Sequence, residues 1–143
     1  MEVFMNHKLD AATVTILVVE DDPNNLLVIT RLLKLAGIQD NRMFTSTADP
    51  SEFLASRPVS PDLIFLDIQL PKKDGYAILG ELRADPKTKD TCIIALTANV
   101  MKQDIEKAKK AGFDGFIGKH IDGRRFAEIL KKLLDGESVW MVQ

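Results

Sequence analysis

The stretch Leu63-Ile64-Phe65-Leu66-Asp67-Ile68-Gln69-Leu70-Pro71 decides the fold. Four apolar residues run without a polar interruption, an aspartate ends them, and a proline soon breaks the chain. A run this short and this apolar, with no polar alternation, reads as a strand buried on both faces, the mark of a parallel sheet covered by helices. Asp74-Gly75 follows, and Tyr76, Leu79 and Leu82 recur at helical spacing until Asp85-Pro86 stops them.

The same unit repeats on both sides. Upstream, Val14-Thr15-Ile16-Leu17-Val18-Val19 ends abruptly in Glu20-Asp21-Asp22. Asp22 suits a helix N-cap and Pro23 the first helical position, with Leu26, Ile29 and Leu33 on one face and Gly37 at the end. A weaker strand near Arg42-Met43-Phe44-Thr45 precedes a short helix around Pro50 to Ser56. Downstream, Cys92 to Leu96 ends in Thr97, and a lysine-rich helix is predicted from about Val100 to Ala111, with an apolar stripe of Val100, Ile105 and Ala108. Gly115-Phe116-Ile117-Gly118 ends in Lys119, and Phe126, Ile129, Leu130 and Leu133 mark a last amphipathic helix before Gly136. Repeated strand–helix units with right-handed crossovers give a doubly wound α/β fold. Residues 13–136 read as one domain, 1–12 and 137–143 as tails, with Trp140 expected to pack back on the domain.

Composition agrees. A chain of 143 residues, 45% hydrophobic and 28% charged, fits one globular domain. A net charge of -2 does not steer the chain to nucleic acid. Cys92, the single cysteine, sits in an apolar run and reads as a buried strand thiol. No stretch reaches the roughly 18 apolar residues of a membrane span, and the polar residues Glu2, Asn6, His7, Lys8 and Asp10 do not suit a signal peptide. A cytoplasmic protein is expected.

Open α/β sheets bind ligands outside the carboxyl ends of their strands. Those ends carry Glu20 and Asp21, Asp67, Thr97 and Lys119. Singly, each has a plainer reading: the acids as caps or turn residues, Thr97 as a cap, Lys119 as a solvated lysine. Together they put three carboxylates, a hydroxyl and an ammonium at one edge. Carboxylates crowded in this way call for a cation, and hard oxygen ligands suit Mg²⁺. A carboxylate beside such an ion can attack phosphorus and form an aspartyl phosphate, with metal, lysine and hydroxyl facing the phosphoryl oxygens.

From about Val14 to Leu134 the chain resembles a response-regulator receiver domain of two-component systems. The resemblance lies in Ile16-Leu17-Val18-Val19-Glu20-Asp21, in Leu66-Asp67-Ile68-Gln69-Leu70-Pro71 with Asp74-Gly75, in Ala95-Leu96-Thr97-Ala98, and in Gly115-Phe116-Ile117-Gly118-Lys119. It implies a flavodoxin-like (βα)5 fold with five parallel strands in the order 2-1-3-4-5. It implies Asp67 as phosphoacceptor, and Glu20, Asp21, Asp67 and the backbone carbonyl of Gln69 as the Mg²⁺ ligands. Thr97 matches the switch hydroxyl, Lys119 the lysine that pairs with the phosphoryl group, and Phe116 the aromatic switch position. Gln69 and Asn99 match loop positions that modulate hydrolysis. The implied partners are a histidine kinase or histidine phosphotransfer protein, and a downstream protein that meets the face of the fourth helix, fifth strand and fifth helix. Lys102, Lys107, Lys109 and Lys110 would lie at or beside that face, or form a solvated helix surface.

Three positions depart from the family pattern. His120 follows Lys119 where proline is common, so a trans bond and a differently placed loop are expected there. Glu20 replaces an aspartate, and Phe116 replaces a tyrosine or threonine, leaving packing rather than a hydroxyl to carry a switch. The short segment after Gly136 suggests a stand-alone receiver, a signalling module with weak intrinsic activity, though a piece of a hybrid kinase or longer regulator fits equally. Three rivals fit less well. In a flavin-binding flavodoxin, Glu20-Asp21-Asp22 would repel the phosphate. A haloacid-dehalogenase phosphatase would want a carboxylate at position 69. The nearer rival is a receiver-like docking protein that is never phosphorylated: the intact acidic pair and Asp67 argue against it, and His120 keeps it open.

Overall fold

A computed structural model describes residues 8–47, 50–55, 60–71, 73–98, 101–119 and 122–141. Strands and helices alternate as β1 (Ile16–Val19), α1 (Pro23–Leu35), β2 (Met43–Ser46), α2 (Ser51–Ala55), β3 (Leu63–Asp67), α3 (Gly75–Ala84), β4 (Cys92–Thr97), α4 (Lys102–Ala111), β5 (Gly115–Gly118), α5 (Gly123–Leu134) and β6 (Trp140–Met141). All neighbouring strands pair in parallel, in the order β2-β1-β3-β4-β5-β6. The flavodoxin-like order 2-1-3-4-5 is therefore present. Among the described residues, no helix is long and apolar enough to cross a membrane.

The unbroken apolar runs are explained by burial on both faces. Every residue of β1, β3, β4 and β5 is buried, whereas β2, at the edge, is only partly so. Alternate residues serve opposite cores. Ile16, Val18, Phe65, Ile94 and Ile117 pack with Leu33 of α1 and Phe126 and Leu130 of α5. Leu17, Ile64, Leu66, Ala95 and Phe116 pack with Ile78 and Leu79 of α3 and Ala108 of α4. Cys92 is buried, and burial pushes its thiol well above the ordinary range, so it is an inert core residue.

Helix ends follow local chemistry. Asp22 accepts from the backbone N–H groups of Asn24 and Asn25, with Pro23 opening α1. Gly37 lies beyond α1 at φ 103°, a left-handed conformation that favours glycine. Asp74 caps α3 through Tyr76 N–H. α4 begins at Lys102; Val100, where the helix was expected to start, lies outside the described residues.

Two expectations are corrected. The segment 137–143 is not simply a tail, since Trp140–Met141 forms β6 beside β5. A two-residue strand is too short to leave a periodic signal. It forms because Gly136, at φ 90°, turns the chain out of α5 and Val139 enters the core. The N-terminal segment also engages the domain, in part: Leu9 N–H donates to the Leu134 carbonyl, and Leu9 and Ala11 pack on the core.

Gly75 fixes how closely α3 approaches the end of β3. A β-carbon there would lie 2.4 Å from Ile68 Cα and 2.9 Å from the Asp67 carbonyl oxygen, so backbone would have to move. Gly75→Ala is therefore expected to cost about 1–3 kcal/mol of stability in urea unfolding. An unchanged midpoint would contradict this close contact.

Candidate functional site

The carboxyl ends of β1, β3, β4 and β5 deliver four of the predicted residues to one edge. Glu20 extends β1 by one residue, its N–H donating to the Ser46 carbonyl at 2.9 Å, and its Oε2 accepts from Asp22 N–H at 3.1 Å. Asp67 closes β3, and its Oδ1 accepts from Gln69 N–H at 2.8 Å in a local turn. Thr97 closes β4, and its carbonyl accepts from Lys119 N–H at 2.8 Å, so the β4–β5 ladder carries on to Lys119.

Lys119 then crosses the site. Its Nζ lies 3.0 Å from Asp67 Oδ2 and 2.9 Å from Glu20 Oε1. Glu20 is 0% exposed and Asp67 1%, with Thr97 equally buried and Asp21 half-buried. Glu20, Asp21 and Asp67 each offer a carboxylate oxygen, all within 4.8 Å of one another.

Such crowding has an electrostatic consequence. Burial pushes the Glu20 carboxyl above its ordinary range; the Lys119 ammonium and the Asp22 N–H pull against that, and the nearby Asp67 carboxylate adds to the rise. Burial works to lower the Lys119 ammonium, but its ion pairing with Glu20 and Asp67 outweighs it and raises it, so Lys119 stays cationic at neutral pH. The pairing is incomplete. Glu20 Oε1 is within ion-pair reach of Nζ but makes no aligned hydrogen bond. Three hard oxygen donors, one of them under-satisfied, fit a small divalent cation such as Mg²⁺.

The other predicted residues are placed as follows. The loop after Asp67 carries Gln69, adjacent to the acidic group through its N–H bond. Phe116 is not at the edge; it is fully buried on the α4 side of the sheet, in register with Ala95 and Trp140. Asn99 and His120, with the Lys119–His120 bond, lie outside the described residues. Lys102, Lys107, Lys109 and Lys110 are exposed, and two of them rest on aromatic rings: Lys107 Nζ is 4.5 Å from the centre of Tyr76, Lys109 Nζ 5.0 Å from that of Trp140. Sequence reasoning missed Gly75 as the residue that lets α3 close on the Asp67 loop. Its neighbour Asp74 signalled a helix start, but nothing local signals a close approach.

Comparison with known proteins gives the family. Residues 16–131 match the response regulator receiver domain family. The chain is 33% identical over 123 residues to the polar-differentiation response regulator DivK of Brucella ovis, covering 85% of this chain and 97% of that one. It is 35% identical over 120 residues to hybrid signal transduction histidine kinase L of Dictyostelium discoideum, covering 82% of this chain but only 7% of that much longer protein. Among solved structures it is similar to the receiver domain of sensor histidine kinase PA1611 from Pseudomonas aeruginosa PAO1, which carries a magnesium ion coordinated in its active site cleft. The TM-score is 0.72 at 30% identity, with 86% of this chain and 98% of that one covered.

The charge balance predicts opposite effects at two positions. In chelator-treated protein near neutral pH, Glu20→Gln is expected to raise the urea midpoint, because it removes a buried like charge. Lys119→Ala is expected to cost about 3 kcal/mol, because it strands two buried acids. A Lys119→Ala protein as stable as the wild type would show that the ion pairs do not support the site.

Proposed function

Because the chain belongs to the response-regulator receiver family, we propose that Asp67 accepts a phosphoryl group from a histidine kinase or histidine phosphotransfer protein and thereby switches the domain between two docking states. The observation that carries this is the buried Asp67 carboxylate, held 3.0 Å from Lys119 Nζ and sharing its pocket with Glu20 and Asp21.

In the transfer, a carboxylate oxygen of Asp67 attacks the phosphorus of a phosphohistidine. A P–O bond forms as the P–N bond breaks, and the electron pair leaves with the imidazole nitrogen. Glu20, Asp21, Asp67 and the carbonyl of Gln69 would hold Mg²⁺. When bound there, the ion supplies positive charge that offsets both the carboxylates and the phosphoryl oxygens. The magnesium in the similar receiver of PA1611 supports that assignment. Lys119 is already oriented on Asp67 and turns its charge to the incoming phosphoryl oxygens. Thr97, at the end of β4, supplies a hydroxyl to the same group.

The acyl phosphate carries about -2 where the free carboxylate carried about -1, so the pocket gains about one negative charge and new acceptor oxygens. Thr97 and Lys119 adjust to it, Phe116 repacks, and the face of α4, β5 and α5 changes its fit to a partner. Depending on the partner, the outcome is docking onto a target or onward relay to another histidine. Water eventually hydrolyses the acyl phosphate, a slow intrinsic activity in which Gln69 and Asn99 set the approach. This makes the chain a signalling module in the first place.

The test is intact mass after incubation with acetyl phosphate. Addition of one phosphoryl group is expected with Mg²⁺, none with chelator, and none in Asp67→Asn. Phosphorylation of Lys119→Ala should be slower by roughly 100-fold. No gain in the folded wild type, or a gain that persists in Asp67→Asn, would contradict the proposal.

A further inference from the structure

Strand β6 covers an edge that the five-strand core would leave open. Phe116 N–H donates to the Val139 carbonyl at 2.8 Å, and Phe116 and Ile117 lie in register with Trp140 and Met141. Gly115 makes room for this segment and for β4 alike, since a β-carbon there would lie 2.8 Å from the Val139 oxygen and 2.8 Å from Ile94 Cδ1. Val139 enters the core on the α1 and α5 side, while Trp140 packs on the other face. That is the face of Phe116, since registered residues of neighbouring strands share a face. Trp140 thus closes the side of Phe116 that would otherwise border the open edge. Lys109 of α4 holds the indole from above, 5.0 Å from its centre.

The closure is slight. β6 has two residues, and a short connection through Gly136 links it to α5. So small a strand has few bonds to lose and belongs to the least stable parts of the sheet. Phe116 stands three positions before Lys119 on the same strand and pairs with Ala95, two positions before Thr97. Phe116 thus lies between the strand ends that carry Thr97 and Lys119 and the edge where Trp140 sits.

We propose that β6 is an autoinhibitory strap, a step that rests on the function proposed above. With Asp67 unmodified, β6 occupies the edge of β5 and Trp140 shuts in Phe116. With Asp67 phosphorylated, Phe116 repacks, Trp140 loses its seat, and β6 leaves the edge, so that the face of α4, β5 and α5 becomes open to a partner. Linkage makes the effect reciprocal: weakening the strap must favour the phosphorylated form.

Trp140 is the single tryptophan of the chain, so its emission reports on the strap alone. The experiment titrates the full chain with beryllium trifluoride, a phosphoryl mimic, in the presence of Mg²⁺. Fluorine NMR reads the bound mimic, and acrylamide quenching reads the exposure of Trp140. Quenching is expected to rise in step with the bound fraction. Trp140→Ala and, as a second variant that keeps the indole, Gly115→Ala should bind the mimic about fivefold or more tightly than the wild type. Bound mimic with unchanged quenching, or unchanged affinity in folded samples of both variants, overturns the strap and leaves the receiver function intact. Failure of the wild type to bind the mimic overturns the proposed function, and the strap with it.

Discussion

Everything at the functional edge depends on one cation, Lys119, lying across two buried carboxylates. Glu20 and Asp67 are almost wholly removed from water, and neither would be stable there as an isolated ion. Nζ reaches both, at 2.9 and 3.0 Å. That contact needs the end of β5 to meet the ends of β1 and β3, which the order β2-β1-β3-β4-β5 brings about. The rest of the fold can be understood as what holds these ends in place: apolar strands locked from both faces, and helices whose caps set where each loop begins. The balance is left short of complete. Glu20 remains raised, and its Oε1 lacks an aligned donor. Three carboxylates against one ammonium leave the pocket with an excess of negative charge, the condition that fits a small divalent cation.

The stability of the domain and the chemistry of the site pull in opposite directions. A neutral residue at position 20 would relieve the buried repulsion, yet it would also remove a hard oxygen from the candidate cation site. Functional sites commonly retain strain of this kind against the interest of stability. Gly75 shows the same trade in steric form. The absence of a side chain there lets α3 approach the Asp67 loop within van der Waals distance.

Much of this was legible in the sequence, for identifiable reasons. Runs such as Leu63 to Leu66 and Cys92 to Leu96 have no polar alternation, and that alone required a covered parallel sheet. Asp22 and Pro23 marked the start of α1 chemically. The site residues stood out because each followed a strand, so topology converted separated positions into neighbours. What escaped was either too short or too distant to leave a local signal. β6 has two residues, and its place depends on Gly115 in another strand. The role of Gly75 depends on Ile68, whose approach no periodicity reports. The exposed lysines of α4 gave an ambiguous signal because a docking face and a solvated one have the same spacing; the resting of Lys107 on Tyr76 and of Lys109 on Trp140 is a contact that only three dimensions reveal.

In the function proposed above, the carboxylate of Asp67, and no other side chain, forms the acyl phosphate. Borohydride reduces an acyl phosphate of aspartate to the alcohol, leaving a stable mark on the residue that carried it. Peptide mapping of protein phosphorylated with Mg²⁺ present and then reduced should find homoserine at position 67 alone. The mark on Glu20 or Asp21, or its absence from a protein whose mass shows a phosphoryl group, would contradict the account.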